Sequence, residues 1–313
     1  CDGTDTMIPG IMQHIERAGI HSGDSISVYP PVGVEKEMQN LIVEYTRRLA
    51  QALHVVGLLN VQYIVKDGKV FVIEANPRSS RTVPYISKVT GIPIVPLAVS
   101  TFFGKTLPEM GYHYGLQKER DLVAVKMPVF SFEKLYGQDV NLGPEMKSTG
   151  EVLGVAKTYD EALIKAFYGA GFHLIEKGNV IITVKDSDKG EVVPIAKGLY
   201  DLGWTIFSTA GTSDFLNDHG IPTIRLHKIG EAKPDILDQI LSGKINLVIN
   251  TPSKGVAHHR DGYQIRRNAV EAGIPCLTSL DTANAFLTCA RHVETTQLSV
   301  VDITKVSTFL NFI

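Results

Sequence analysis

The chain has 313 residues, a formal net charge of −2 and 44% hydrophobic residues. That balance offers no basic field for nucleic acid or an anionic membrane surface, and no apolar run approaches the roughly 18 residues of a membrane span. At about 100–200 residues per domain the length predicts two domains. Cys1, Cys276 and Cys289 are far apart and form no CxxC pair, so reduced thiols in a cytoplasmic protein are expected rather than a disulfide framework or a zinc site.

The chain opens at Cys1-Asp2-Gly3 without an initiator methionine, and no G-x-x-x-x-G-K or G-x-G-x-x-G run precedes the first strong elements. It therefore reads as a fragment with little ATPase or kinase activity of its own. Those elements are two strands, Leu59 to Val65 and Lys69 to Ala75, with Asp67-Gly68 between them. A two-residue turn would put Gln62 and Glu74 on opposite faces. A three-residue loop, Lys66-Asp67-Gly68, pairs Val65 with Lys69, Gln62 with Val72 and Asn60 with Glu74. It also gathers Leu59, Val61, Tyr63, Val65, Phe71, Ile73 and Ala75 on one core-facing side, so that loop is expected.

In this register Gln62 and Glu74 are diagonal neighbours roughly 7–8 Å apart at the backbone, within reach of one divalent ion. Hard oxygen donors suit magnesium or manganese. A hairpin with one wet face and merely solvated polar side chains is the plainer alternative. Asn76 precedes Pro77 and is held extended; Arg78 and Arg81 follow, and guanidinium forks match phosphate oxygens.

Downstream, Thr90 to Gly111 carries a helical pattern in which Phe102 and Phe103 read as core. Residues 115–121 read as a loop, Leu122 to Phe132 as a strand and Tyr159 to Gly169 as a helix, with Asp160 and Glu161 in its first turn. The domain boundary is placed between residues 172 and 173.

From Asn179 the chain alternates strand and helix. Strands are expected at Asn179–Val184, Trp204–Ser208, Ile221–His227, Ile245–Asn250 and Ile274–Thr278, and helices at Glu191–Leu202, Ser213–His219, Asp235–Leu241, Gln264–Ala272 and Thr282–Ala290. This order predicts buried parallel strands with covering helices, and ligands beyond the strands' carboxyl ends. Thr183, Lys189, Thr209, Thr212, Lys228, Asn250 and Thr251 fall there. The amides of Gly211 and Thr212 at a helix start, with two lysines, form a phosphate cradle. Helix-capping threonines and ordinary surface lysines are the alternative.

The runs Ile8-Pro9-Gly10-Ile11-Met12, His14-Ile15-Glu16, Ala18 to Ser25, Asn60-Val61-Gln62, Glu74 to Pro84 and Leu142 to Val152 together resemble the large subunit of carbamoyl-phosphate synthase. The likeness is to its second ATP-grasp half, and the remaining chain resembles its methylglyoxal-synthase-like regulatory domain. The resemblance implies an α/β and α+β chain: a partial ATP-grasp domain (1–172) followed by a Rossmann-like parallel α/β sandwich (173–313). It further implies ATP-dependent phosphorylation of carbamate, with Gln62, Glu74 and Asn76 as Mg2+ or Mn2+ ligands and Arg78, supported by Arg81, on phosphate. His21 matches an ATP-contacting position, while His14 and Ser22 fall near a monovalent cation (K+) site. A glutaminase small subunit is the implied partner, with no nucleic acid and no membrane.

Where methylglyoxal synthase has a proton-transferring aspartate before proline, this chain has Asn250-Thr251-Pro252. An amide is no general base near neutral pH, so the second domain reads as a receptor for a phosphorylated nucleotide effector such as UMP or IMP. Glu16 and Asp24 match two acidic positions through which some members bind ornithine. Met127 stands at the third, so the ornithine ammonium loses a partner here.

Overall fold

The computed structural model describes residues 1–135, 137–252, 261–293, 296–300 and 302. Its first part contains β1 (Met7–Ile8), β2 (Gln13–His14), β3 (Ser27–Tyr29), α1 (Lys36–Ala52), β4 (Asn60–Lys66), β5 (Lys69–Asn76), α2 (Thr82–Thr90), α3 (Ile94–Phe102), β6 (Gly115–Leu116), β7 (Val123–Val129), β8 (Gly150–Ala156) and α4 (Tyr159–Gly169). These form an antiparallel sheet ordered β2-β3-β7-β8, a separate hairpin β4-β5 and a short parallel pair β1-β6.

The hairpin does not use the expected three-residue loop. Lys66 pairs with Lys69, and Asp67 (φ 51°) and Gly68 (φ 67°) both adopt the left-handed backbone of a two-residue turn. Parity is restored farther along by a β-bulge. Tyr63 opposes Val72 but Gln62 opposes Glu74, leaving Ile73 as the extra residue.

The tight turn also changes which side chains enter the core. Val70 is buried against Met38 and Ile42 of α1, joined by Tyr63, whereas Val65, Phe71 and Ile73 are 39%, 50% and 50% exposed. The core-facing set expected from strict alternation is therefore wrong for these three. Phe71 instead shares the face of Gln62 and Glu74, because directly paired residues point the same way.

The helical pattern after Thr90 resolves into α2 and α3, with Gly91 (φ 73°) closing α2. Phe102 and Phe103, expected in the core, are exposed. The buried stripe of α3 is Ile94, Leu97, Ala98 and Thr101; Phe102 lies just past its angular width, and Phe103 is the C-cap residue on the opposite side. α4 lies directly on β8: a Cβ on Gly154 would sit 2.0 Å from the Ala162 carbonyl oxygen.

The second part runs β9 (Asn179–Thr183), α5 (Lys189–Asp201), β10 (Thr205–Thr209), α6 (Ala210–Asp218), β11 (Ile224–Leu226), α7 (Ile236–Leu241), β12 (Leu247–Asn250), α8 (Asp261–Glu271), β13 (Cys276–Leu277) and α9 (Leu280–His292). Its sheet is parallel throughout, in the order β11-β10-β9-β12-β13. Strand order reverses between β9 and β12, and that crevice is where such sheets take ligands. Val180, Ile181, Ile182, Val248 and Ile249 are fully buried, as helices on both faces require.

Local sequence sets the helix starts. Asp235 and Asp238 form a capping box on α7, and Ser279 accepts from the Asp281 amide at the start of α9. One continuous core links the two parts, with Phe167 of α4 edge-on to Phe286 of α9, which in turn meets Trp204.

Candidate functional site

The first candidate site forms on the polar face of the hairpin. Gln62 Nε2 and Asn76 Nδ2 each donate to Glu74 Oε1 at 2.8 Å. All three predicted metal residues therefore meet at one point. Gln62 Nε2 also reaches Ser22 Oγ at 3.2 Å. Ser22 begins a short 3-10 turn (Ser22–Asp24) capped by His21, whose Nδ1 accepts from the Gly23 amide. His21 is thus one residue from the group that touches Gln62.

Among the described residues no group of three or more His, Cys, Asp or Glu side chains is placed to hold a metal ion. The hairpin offers one carboxylate and two primary amides instead, and turning each amide about its terminal bond presents three hard oxygens to one cation. Such a set fits magnesium or manganese, which complete their shells with water and phosphate oxygen.

The two arginines differ. Arg81 Nη1 donates to Ser148 Oγ (3.2 Å) and contacts Met146 Sδ, anchoring it to the segment before β8. Arg78 is exposed and donates to the adjacent Ser79 carbonyl at 2.9 Å. The structure thus places Arg81 in a fixed position and Arg78 at the rim.

Beneath this surface the polar groups are saturated by backbone. Both Asp24 oxygens are occupied, accepting from the amides of Lys147 (2.8 Å) and Ser148 (2.9 Å). The buried Lys126 ammonium donates to the Ser22 carbonyl at 3.1 Å, and burial lowers its pKa. His14 is brought down to about 4, first by burial and then by Lys126, and is neutral. Glu16 accepts from the Ile26 amide (2.7 Å) and from Thr282 Oγ1 of α9 (2.9 Å), and burial raises its carboxyl to about 7. Glu16, Asp24, Met127 and Thr282 line a cavity of about 370 Å³ between the two parts.

The second candidate site is a cavity of about 1020 Å³ at the carboxyl ends of β9, β10 and β12. All seven residues expected in a phosphate cradle, Thr183, Lys189, Thr209, Thr212, Lys228, Asn250 and Thr251, line it. The Lys189 ammonium lies 3.4 Å from the Cβ position of Gly211, at the start of α6, and is paired with Asp186 at 2.8 Å. Thr209 occupies the N-cap of α6 yet makes no side-chain capping bond, which disfavours the capping alternative for it.

Asn250 is wired on both sides. Its Nδ2 donates to Thr183 Oγ1 at 2.7 Å, and its Oδ1 accepts from Arg266 Nη1 at 2.7 Å. Arg266, buried on α8, also donates through Nε to Asp139 Oδ1 (2.7 Å) and through Nη2 to Asp139 Oδ2. Lys185 lines the same cavity, and its amide donates to Thr251 Oγ1 at 3.1 Å. Sequence reasoning missed Arg266, Asp139 and Lys185. The adjacent Arg266-Arg267 pair, inside a helix that otherwise serves the core, was the signal available.

Fold and sites together define a two-part α/β protein with a polar candidate site in each part. Residues 2–110 match the carbamoyl-phosphate synthase L chain, ATP binding domain, and residues 191–278 match the MGS-like domain. Over 306 residues, 98% of the chain, it is 54% identical to the carbamoyl phosphate synthase large chain of Lachnoclostridium phytofermentans. Over 307 residues it is 55% identical to that of Agathobacter rectalis. The chain spans 29% of the length of each of these relatives. A solved biotin carboxylase domain of a single-chain bacterial carboxylase aligns with 54% of the chain and 44% of its own length, at 15% identity and a TM-score of 0.43. The chain is a stretch of the carbamoyl-phosphate synthase large-chain family, joining part of its ATP-binding domain to an MGS-like domain.

Proposed function

We propose that the chain serves ATP-dependent phosphorylation of carbamate to carbamoyl phosphate and carries a pocket for a nucleotide monophosphate effector such as UMP or IMP. The observation that carries the first half is the convergence of Gln62 and Asn76 on Glu74, within the stretch that matches the ATP-binding domain. In that role Glu74, Gln62 and Asn76 hold a divalent cation, which neutralises phosphate charge when bound. Glu74 contributes the one carboxylate, so the site keeps a positive balance toward polyphosphate. Arg81, fixed by Ser148, and Arg78 at the rim bind phosphate oxygens and orient them in line with the carbamate oxygen that attacks phosphorus. His21 is positioned by its turn to meet the nucleotide.

The second half rests on the seven cradle residues lining one cavity. Asn250, bonded to Thr183 and Arg266, supports the role of receptor rather than acid–base catalyst. The reading extends to a boundary near residue 172, a glutaminase small subunit as partner, a potassium ion near His14 and Ser22, and a cytoplasmic setting. Calorimetry on this chain tests the effector half: UMP or IMP binds saturably at one site without turnover, and no heat with either defeats it. Arg81→Ala in the complete large chain tests the other half. A KM for ADP in ATP formation from carbamoyl phosphate that rises at least about 10-fold supports it, and unchanged kinetics reject it.

A further inference from the structure

The effector cavity is not made by the second part alone. Gly137, Gln138, Asp139, Asn141 and Lys147, from the segment between β7 and β8, form one wall. We propose that Asp139 and Arg266 form the contact through which occupancy of this pocket reaches the phosphate-binding Arg81. The proposal rests on the reading of both sites given above.

The connection is continuous in hydrogen bonds. Arg266 joins Asn250 in the cradle to Asp139 in the opposite wall. Lys147 Nζ donates to the carbonyls of Asp139 (3.0 Å) and Asn141 (2.7 Å), folding this segment on itself. The amides of Lys147 and Ser148 are clamped by the two Asp24 oxygens. Ser148 Oγ donates to the Gly23 carbonyl at 3.2 Å and accepts from Arg81 at 3.2 Å. Gly23 adjoins Ser22, which touches Gln62.

Coupling requires a ligand that interacts differently with two arrangements. Here the difference is competition for one guanidinium. An anion seated on Thr183, Asn250 and Thr251 draws Arg266, whose side chain is 6% exposed, away from Asp139, its present partner. Two anions cannot share the fork in the same geometry. Releasing Asp139 loosens the 139–148 segment, and with it the hydroxyl that fixes Arg81.

A second cross-domain contact, Glu16 with Thr282, supplies the control. The experiment uses the complete large chain with its small subunit. It compares the KM for ADP, in ATP formation from carbamoyl phosphate, with and without saturating UMP or IMP, and measures nucleotide binding separately by calorimetry. The wild type should show at least about a 5-fold change in KM, in either direction, as typical coupling gives. Asp139→Asn and Ser148→Ala should bind nucleotide within about 10-fold of wild type yet bring that change below about 2-fold, while Thr282→Val keeps it. Should Asp139→Asn fail to fold, Arg266→Lys, which keeps the charge but loses the fork, is expected to behave alike. A wild type that binds nucleotide without any change in KM overturns the proposal, as does a change that survives Asp139→Asn or disappears only in Thr282→Val. A wild type that binds no nucleotide overturns the effector reading instead.

Discussion

Gln62 and Glu74 face each other directly across β4 and β5 because Ile73 is an extra residue in its strand. Without the bulge, the tight Asp67-Gly68 turn would send these side chains to opposite faces. Deleting Ile73 removes the extra residue yet leaves Gln62 opposite Glu74 in a regular ladder, so carbamate phosphorylation in the complete enzyme should survive the deletion although it is lost with Glu74 itself, the hairpin being checked by circular dichroism. A deletion as inactive as the loss of Glu74 would contradict this.

The turn has its own requirement. Gly68 sits at φ 67°, where a β-branched residue is strained by about 1–2 kcal/mol. Gly68→Val should lower unfolding free energy by that amount in denaturant titration, whereas Gly68→Asn should cost well under half as much.

Gly154 sets the contact of β8 with α4. A methyl group there meets the Ala162 carbonyl at 2.0 Å and the Ala166 nitrogen at 2.7 Å, both backbone atoms that cannot rotate aside. Gly154→Ala should destabilise by about 3 kcal/mol or more, at the upper end of overpacking costs, read as a fall in the denaturation midpoint.

Glu16 predicts a pH dependence. Burial raises its folded-state pKa to about 7 from an ordinary 4.5. Between these values the folded chain binds the extra proton, so its stability falls as pH rises through this window and levels off above it. At about 1.4 kcal/mol per unit the loss is on the order of 3 kcal/mol. Glu16→Gln should flatten the stability profile between about pH 4.5 and 7; a slope as steep as the wild type's in that variant would show that Glu16 is not its source.

The sequence made some parts of this molecule legible and hid others for physical reasons. The parallel sheet could be read because Val180 to Ile182 and Leu247 to Ile249 are unbroken apolar runs followed by polar residues, and strand ends are where cradle residues belong. The convergence of Gln62, Glu74 and Asn76 was also legible, but by the wrong register. A bulge leaves no mark in residue type, so strict alternation points Phe71 and Ile73 inward although they are exposed. Asp24 reads as a free carboxylate until Lys147 and Ser148 are seen to donate to it across more than 120 residues. The Arg266 to Asp139 pair likewise spans 127 residues, a separation that no local pattern encodes.

The central claim is that Glu74, with Gln62 and Asn76 on one of its oxygens, holds the cation that phosphoryl transfer needs. ATP formation from ADP and carbamoyl phosphate should be followed against Mg2+ concentration in the complete enzyme, wild type beside Glu74→Gln. The variant should lose at least about 100-fold in kcat, the scale of removing one preorganised charge-stabilising group, with its Mg2+ requirement displaced upward. A variant with near wild-type turnover and an unchanged Mg2+ midpoint would contradict the assignment.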